Sequence, residues 1–278
     1  MIIVVLVVLG LCLGSFVNAL VWRVHEQDRE SSKKHPNSLY LNKLSIRKGR
    51  SLCPHCKHEL KAQDLMPFFS WLSLGGKCRY CKKTISLQYP LVELITALLF
   101  VGSYLWWPQT VEGIQIAIFT LWLLILTGLT ALTVYDLRWY LLPNRIMLPL
   151  SYLAGFYAAL QIYAADNPSA AFIKTSLAVL IGGGIFYLLF QLSNGKWIGG
   201  GDVKLGWLLG LLVATPANSL LFIFLAALAG SLVSLPLLVK GRLKRSSTIP
   251  FGPFLIGGAV VVVLFGSNII HWYTGLFT

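Results

Sequence analysis

Long apolar stretches, separated by short polar segments, are the feature that most limits how this chain can fold. Each stretch approaches the roughly 20 residues that a helix needs to cross a bilayer. A chain of 278 residues that is 56% hydrophobic and only 12% charged could not cover the surface of a soluble domain. The sequence therefore predicts an all-α polytopic membrane protein with about eight transmembrane helices. The predicted spans lie near residues 1–22, 91–107, 113–134, 146–164, 171–192, 203–214, 219–239 and 253–273, and the sixth is the shortest.

Positive charge is distributed very unevenly between the two predicted faces of the membrane. Residues 23–88, between the first two spans, carry 14 of the 23 Lys and Arg residues, and the other loops on that side bring the total to 22. Lys174 alone falls on the opposite face. Because Lys and Arg are retained in the cytoplasm, we expect both chain ends outside and the long basic loops inside. Orientation and contact with anionic membrane lipids then explain the net charge of +13, which does not indicate a nucleic-acid partner.

The segment 23–88 is the one sizeable polar part of the sequence. Its first residues, 23–38, contain few apolar anchors and are predicted to form a flexible arm. Two C-x2-C pairs follow, with 21 residues between them: Cys53, Cys56, Cys78 and Cys81.

The four cysteines predict a structural zinc site. Each C-x2-C turn offers two thiolates to one side of a tetrahedral ion, and four sulfur ligands leave no open position for a catalytic water. Two disulfides are the alternative, but the segment is predicted on the side of the membrane where thiols stay reduced. His55 and His58 are close enough in sequence to compete as ligands, yet four thiolates already satisfy the ion. We therefore expect a small cytoplasmic zinc-binding insert between the first two helices, folded largely by its metal.

Two of the ten acidic residues fall at the predicted cytoplasmic edge of the membrane helices. Asp136 ends the third span in TVYDLRWYLLPNR, and Asp202 follows three glycines in WIGGGDVKL at the start of the sixth. A helical bundle could bring these carboxylates together although 66 residues separate them. Two neighbouring carboxylates can share one proton, so that one acts as general base on a water while the other donates a hydrogen bond to a carbonyl oxygen. This is the chemistry of an aspartic protease.

The glycines before Asp202 fit the same hypothesis. Gly199 and Gly201 permit backbone conformations closed to other residues and would let an extended substrate strand approach. The alternative is that each aspartate only caps a helix or pairs with its basic neighbour, Arg138 or Lys204. The chemistry of these residues alone leaves both interpretations open.

Several stretches together resemble the type IV prepilin peptidase family, whose members are intramembrane aspartic proteases with a G-x-G-D motif. The resemblance extends, in order, over nearly the whole chain. Its cysteine segment favours the bacterial form of the family over the archaeal preflagellin peptidases, which lack that segment. The matching stretches are LGSFVNALVWR (13–23), SLCPHCKHEL (51–60), SWLSLGGKCRYCKKTISLQYPLVEL (70–94), DLRWYLLPN (136–144), GGGDVKL (199–205) and IPFGPFL (249–255).

This resemblance implies a bifunctional enzyme of the bacterial inner membrane. Such an enzyme cleaves the short basic leader of type IV prepilins and type II secretion pseudopilins on the cytoplasmic side. It then N-methylates the new first residue, usually phenylalanine, with S-adenosylmethionine. The resemblance also implies that Asp136 and Asp202 are the catalytic pair, with Gly199, Gly201 and Lys204 in support. The expected domains are a first helix (1–22), a zinc-binding segment linked to methyl transfer (23–88) and a membrane-embedded peptidase domain (89–278).

The methyl-donor site has no recognisable motif. The segment 23–88 is too short for a doubly wound methyltransferase domain and lacks its glycine-rich turn, so the donor must bind in another way. We hypothesise a pocket lined by parts of residues 14–23 and 71–79, in which Asn18 and Arg23 hold the donor or the substrate. Helix packing for Asn18 and a headgroup contact for Arg23 are the alternative.

Two other functions remain open from the sequence. One is a peptidase without methyltransferase activity. The other is a noncatalytic, zinc-containing membrane scaffold or transporter, in which the aspartates bind ions or cap helices. No motif indicates an oligomeric state or a choice among prepilins.

Overall fold

The computed structural model describes residues 1–35, 37–46, 49–241 and 249–276. Within these ranges the chain is helical apart from its turns and two isolated β-bridges. Arg242, Lys244 and Arg245, which are among the basic residues predicted to lie in cytoplasmic loops, are outside the described residues. The α-helices are α1 (Ile2–Ser31), α2 (Ser38–Lys43), α3 (Phe69–Ser73), α4 (Gln88–Leu105), α5 (Ile114–Trp139), α6 (Asn144–Tyr163), α7 (Pro168–Ser193), α8 (Gly200–Val213), α9 (Pro216–Val239) and α10 (Gly252–Thr274), and Ala62–Asp64 forms a 3-10 turn.

Seven helices in the described part of the chain are long and apolar enough to cross a membrane. They are α1, α4, α5, α6, α7, α9 and α10. The predicted sixth span corresponds to α8, whose 14 residues rise only about 21 Å, less than the roughly 30 Å of a bilayer core. The predicted all-α polytopic fold with a small insert after the first helix is therefore confirmed.

Residues Met1–Leu105 form one compact unit, in which α1 packs along α4. The two backbones approach closely because glycines line the contact. A Cβ atom on Gly10 would lie 2.5 Å from the Cα of Ala97, and one on Gly14 would lie 2.6 Å from the Cα of Glu93. The G-x-x-x-G spacing on α1 thus serves helix packing, which is its usual role in membrane helices.

The helix α1 continues past residue 22 as far as Ser31, so the prediction of a flexible arm is wrong for residues 23–31. Val24 is fully buried, and the side chain of Gln27 donates a 2.8 Å hydrogen bond to the carbonyl of Leu44. These contacts with the polar insert hold the extra turns. The composition of the segment could not predict these contacts because Leu44 lies 17 residues further along the chain than Gln27.

Residues Trp106–Thr278 form the second compact unit, built from α5 to α10. The helices α7 and α8 pack closely through glycines, since a Cβ atom on Gly206 would lie 2.5 Å from the carbonyl oxygen of Gly182. The helix α10 contacts α5, α8 and α9. Trp122, Tyr157 and Phe222 are fully buried in this unit. As a result, the last turn of α5 and the first turns of α8 and α10 meet at one end of the bundle.

Candidate functional site

Asp136 lies in the last turn of α5. The helix ends three residues later because Tyr140 adopts a left-handed conformation (φ 57°), while its N–H donates a 2.8 Å hydrogen bond to the carbonyl of Asp136. The Asp136 side chain is only 6% exposed. Its Oδ2 atom accepts a 3.1 Å hydrogen bond from the backbone N–H of Gly252, the first residue of α10. The start of α10 therefore holds this carboxylate.

Asp202 lies in the first turn of α8. Its own N–H donates a 3.1 Å hydrogen bond to the carbonyl of Gly199, and the Gly199 N–H donates to the Asp202 carboxylate. This reciprocal pairing fastens the side chain to the helix start. The positive end of the helix dipole also favours a negative charge at this position.

The two carboxylates are neighbours, close enough for their charges to interact. They come from different helices and are 66 residues apart in sequence. Leu142, in the loop after α5, packs near Gly201, which precedes Asp202, and near Gly252, which bonds to Asp136. Its Cβ lies 3.2 Å from where a Cβ on Gly201 would stand, and its Cδ2 lies 3.7 Å from the corresponding position on Gly252. The structure therefore holds two adjacent carboxylates in fixed positions at one end of the helix bundle.

The glycines before Asp202 do not use unusual backbone conformations. Gly199 has φ −75° and ψ 148°, an extended geometry open to most residues, and Gly201 is helical. The positive φ values in this region belong to Asn194, at 50°, and Gly195, at 73°. The predicted need for backbone freedom is thus wrong at Gly199 and Gly201. At Gly201 the requirement is instead steric, because Leu142 leaves little space for a side chain.

Lys204 points to a partner other than the aspartates. Its Nζ atom donates a 2.9 Å hydrogen bond to the side-chain oxygen of Asn144, at the start of α6. The bond joins the first turns of α6 and α8. Among the described residues, no salt bridge pairs Asp136 or Asp202 with a basic side chain.

The four predicted cysteine ligands form a second cluster, in the first unit. Their Sγ atoms all lie within 4.8 Å of one another, and those of Cys53 and Cys81 are 4.0 Å apart. A tetrahedral ion with sulfur ligands at about 2.3 Å requires sulfurs about 3.8 Å apart. The four cysteines can therefore hold one metal ion with little adjustment. All four are free thiols, so the alternative of two disulfides is not what the structure contains.

The two C-x2-C turns have the same backbone design. The N–H of Cys53 donates to the carbonyl of His58, and the N–H of Cys78 donates to that of Lys83, each at 2.9 Å. The fifth residue of each turn, Lys57 or Lys82, has a positive φ near 59°. Each turn thus folds the chain back so that both of its sulfurs point to the same side.

Burial and hydrogen bonding shift the pKa values of two of the thiols in opposite directions. Burial raises the pKa of the Cys53 thiol to about 12. Burial acts in the same direction on Cys78, but backbone hydrogen bonds from Cys81 and Tyr80 outweigh it and lower its pKa to about 7. Since metals bind thiolates, loading the site requires the loss of protons, and Cys78 loses its proton most easily of this pair.

His55 and His58 lie outside the metal-ligand cluster found among the described residues. The His58 ring instead stacks on that of Tyr80, with ring centroids 3.7 Å apart.

Asn18 and Arg23, the candidate methyl-donor residues, both make hydrogen bonds within the first unit. The Asn18 side chain donates to the carbonyl of Tyr89 at 3.0 Å. The Arg23 guanidinium donates to the carbonyl of Gly49 at 2.9 Å and to that of Ser45 at 3.2 Å. These bonds fasten α1 to α4 and to the polar insert, and they account for both residues without a bound donor.

Sequence reasoning missed two residues that the structure makes conspicuous. Gly252 was only part of the matching stretch IPFGPFL, and its contact with Asp136 spans 116 residues. Glu93 likewise falls only within the matching stretch 70–94, although it is 6% exposed and hydrogen-bonded to the insert. An acidic residue inside an apolar span was the available signal for Glu93.

Comparison with known proteins agrees with this geometry. The model of the Bacterial Peptidase A24 N-terminal domain matches residues 8–107, and that of the Type IV leader peptidase family matches residues 117–235. No solved structure matches the chain.

Several curated proteins named prepilin leader peptidase/N-methyltransferase are similar along most of their length. That of Aeromonas hydrophila is 32% identical over 276 residues, covering 95% of this chain and 91% of the relative. That of Pectobacterium carotovorum subsp. carotovorum is 32% identical over 277 residues, covering 94% and 93%. That of Bacillus subtilis is 30% identical over 230 residues, covering 83% and 87%. On this similarity, and on the two aspartates that converge in the matched region, the chain belongs to the type IV leader peptidase family.

Proposed function

We propose that Asp136 and Asp202 are the catalytic pair of a membrane-embedded peptidase. The observation that carries this proposal is their convergence: two carboxylates from different helices lie within range of each other's charge, each held by a glycine N–H at a helix start. Capping alone would not require two acidic residues to meet. Family membership supports peptide cleavage as the reaction.

The pair works with one shared proton. The ionised carboxylate takes a proton from a water molecule, whose oxygen attacks the carbonyl carbon of the substrate. The protonated carboxyl group donates a hydrogen bond to the carbonyl oxygen and stabilises the charge that develops there. The C–N bond then breaks, and the leaving amine takes up a proton from the pair.

We propose prepilins and pseudopilins as the substrates, because the relatives are named for prepilin processing. Such a substrate enters the bilayer by its apolar N-terminal helix while its basic leader stays in the cytoplasm. The scissile bond then lies at the cytoplasmic edge of the inner membrane, where the charge pattern of this multi-pass protein puts the aspartates. A helix hides its backbone carbonyls, so the cleavage segment must unwind, with Gly199 leaving room beside it.

We assign methyl transfer, with S-adenosylmethionine as donor, to the first unit. Contacts divide the chain after Leu105, so that α4 belongs with α1 and the insert. The proposed methyltransferase part is therefore Met1–Leu105, which includes the predicted segment 23–88, and the peptidase part begins at Trp106. Asn18 contributes by joining α1 to α4, and Arg23 by joining α1 to the insert.

We propose Zn²⁺ as the ion of the four cysteines. Four thiolates in tetrahedral arrangement suit zinc, and a closed site of this type stabilises structure. Metal analysis of the purified protein should give one zinc per chain. Cys56→Ser should lose it, whereas Ser51→Ala, a change beside the same turn, should retain it.

The test of the peptidase proposal is cleavage of a prepilin by the purified full-length protein in detergent, followed by mass spectrometry with S-adenosylmethionine present. Asp136→Asn and Asp202→Asn should each abolish cleavage while the protein keeps its melting temperature and metal. Asp166→Asn, an exposed aspartate in another loop, is the matched control and should cleave normally. Cleavage by either catalytic-site variant at near wild-type rate would reject the paired mechanism. A cleaved product without the added mass of a methyl group would show that the protein is a peptidase without methyltransferase activity.

A further inference from the structure

Glu93 is a buried carboxylate that peptide cleavage does not use. It lies in α4, near the end that follows the polar insert. Its Oε2 atom accepts a 2.7 Å hydrogen bond from the backbone N–H of Phe68, and Ser15 of α1 also hydrogen-bonds to it. No salt bridge among the described residues includes Glu93. A buried carboxylate without a cation is costly, and a cationic ligand would offset that cost.

The position of this carboxylate is tightly fixed. The backbone of α4 at Glu93 lies against Gly14, so the helix cannot slide along α1. Phe68 has φ 61° and ψ −51°, and the N–H of Phe69 bonds to the carbonyl of Pro67 across it at 2.6 Å. This γ-turn is rare for a residue other than glycine, and it persists only where the surroundings impose it. Here it directs the Phe68 N–H at the carboxylate.

An ionised carboxylate can accept about four hydrogen bonds, and the structure accounts for two at Glu93. The remaining capacity suits a group with several N–H donors. Exposed apolar side chains flank the same γ-turn in sequence, and they would suit an apolar ligand that carries such a group. These side chains are Leu65, Met66, Phe69 and Leu72.

We propose that Glu93 binds the α-ammonium group of the newly cleaved substrate and accepts the proton that this group must lose before methylation. The inference rests on the proposed methyl transfer. The expected new first residue, phenylalanine, carries its ammonium group directly beside an apolar side chain, which matches the carboxylate and its apolar surroundings.

The proton has to leave because an ammonium nitrogen has no lone pair. Once the proton has passed to Glu93, the nitrogen attacks the methyl carbon of S-adenosylmethionine. The carbon–sulfur bond breaks, and its electron pair stays on the sulfur of the neutral S-adenosylhomocysteine that leaves. The product nitrogen keeps two hydrogens, the new methyl group and one positive charge, and Glu93 returns its proton to water.

The groups known to face Glu93 are uncharged. They are the Ser15 hydroxyl on α1 and the Phe68 N–H of the insert. Further along α1, Asn18 bonds to the backbone of α4, and Arg23 bonds to the backbone of the insert. Glu93 is therefore the group expected to control how the amine loses its proton.

The experiment uses full-length enzyme in detergent, prepilin, and a synthetic peptide that begins at the new N-terminus. Glu93→Gln should lower methylation of the peptide by about 100-fold or more, while prepilin cleavage and metal content stay at wild-type values. Glu93→Asp, which keeps the charge, should recover part of the methylation. Glu59→Gln makes the same chemical change at an exposed glutamate of the insert and should have no effect.

Binding gives a readout that does not depend on turnover. Wild-type enzyme should prefer the free-amine peptide over its N-acetylated form by at least about 10-fold, as expected for a charged hydrogen bond. Glu93→Gln should bind both forms equally and still bind S-adenosylmethionine. Its residual methylation rate should rise about tenfold per pH unit towards pH 8, where the free amine becomes abundant, while the wild-type rate changes little.

Three outcomes would overturn the assignment: wild-type methylation by Glu93→Gln, a retained preference for the free amine, or equal loss of methylation in Glu93→Asp and Glu93→Gln. Loss of S-adenosylmethionine binding with peptide binding intact would overturn it too, because the carboxylate would then serve the donor's sulfonium. Wild-type enzyme that cleaves but never methylates would instead refute the proposed methyl transfer, and that failure is visible before any variant is made.

Discussion

Replacing Gly252 by alanine should slow cleavage sharply without disturbing the fold. The new Cβ atom would lie 2.6 Å from Oδ2 of Asp136, whereas heavy atoms in contact prefer about 3.5 Å. The carboxylate or the start of α10 must then move by roughly 0.5–1 Å, and the 3.1 Å hydrogen bond from the Gly252 N–H is lengthened or lost.

The size of the effect follows from this displacement. A misplacement of about 1 Å at a reacting group can cost about 100-fold in rate, and a hydrogen bond to a charged group contributes about 1.5–3 kcal/mol. We therefore expect kcat for prepilin cleavage to fall by about 10- to 100-fold, equivalent to about 1.4–2.7 kcal/mol. Methylation of a peptide that is already cleaved should not change, since that reaction is assigned to the other unit.

Two glycines of the same helix provide controls. A Cβ atom on Gly257 would meet nothing within 4 Å, so Gly257→Ala should cleave normally and gain about 0.5–1 kcal/mol of stability. A Cβ atom on Gly258 would lie 2.7 Å from the carbonyl oxygen of Phe222, so Gly258→Ala should lower the melting temperature but not the rate per folded molecule. The reasoning is refuted if Gly252→Ala cleaves within about threefold of wild type, or if Gly258→Ala loses as much activity per folded molecule.

Three further changes test the insert, a helix end and a surface contact. Asp64→Asn should weaken metal retention against a chelator by about 1–2 kcal/mol, because this carboxylate accepts a 2.7 Å hydrogen bond from Arg79. Burial raises the pKa of Asp64, but its hydrogen bonds outweigh burial and lower the pKa below the usual value. The stabilisation is therefore complete above about pH 4, including neutral assay pH, and is lost as the pH falls below that. Ala214→Gly should raise the melting temperature by the equivalent of about 0.5–1 kcal/mol, since Ala214 has a φ of 58° that glycine adopts freely, and it should leave cleavage unchanged. Lys204→Gln should slow cleavage by less than about tenfold, because its exposed bond to an asparagine contributes about 0.5–1.5 kcal/mol, and a larger loss in a rate assay would point to a direct role.

Much of this architecture could be predicted because local patterns determine it. Apolar length identified the helices, and the C-x2-C spacing identified the four sulfurs that meet in the insert. In each case the physical requirement is met within one helix or one turn, so the sequence alone records it.

The features that sequence reasoning missed depend on distant contacts. The turns at 23–31 looked unstructured because their partners lie in a separate part of the insert. The backbone N–H of Gly252 reaches Asp136 across 116 residues, and a backbone donor has no sequence signature. Backbone freedom was predicted for Gly201, but the actual constraint is steric. It comes from Leu142, a side chain on another loop, and is therefore also a distant contact.

The way in which the aspartates are held also suits the chemistry proposed for them. A lysine or arginine beside the pair would favour two ionised carboxylates, and a shared proton would be lost. In the part of the chain that the structure describes, no salt bridge joins either aspartate to a lysine or arginine, and partial positive charge comes instead from the Gly252 N–H at the start of α10 and the Gly199 N–H at the start of α8. The nearby ammonium of Lys204 is bonded to Asn144. Backbone donors can position both carboxylates while leaving one free to keep its proton, which a hydrolytic pair requires.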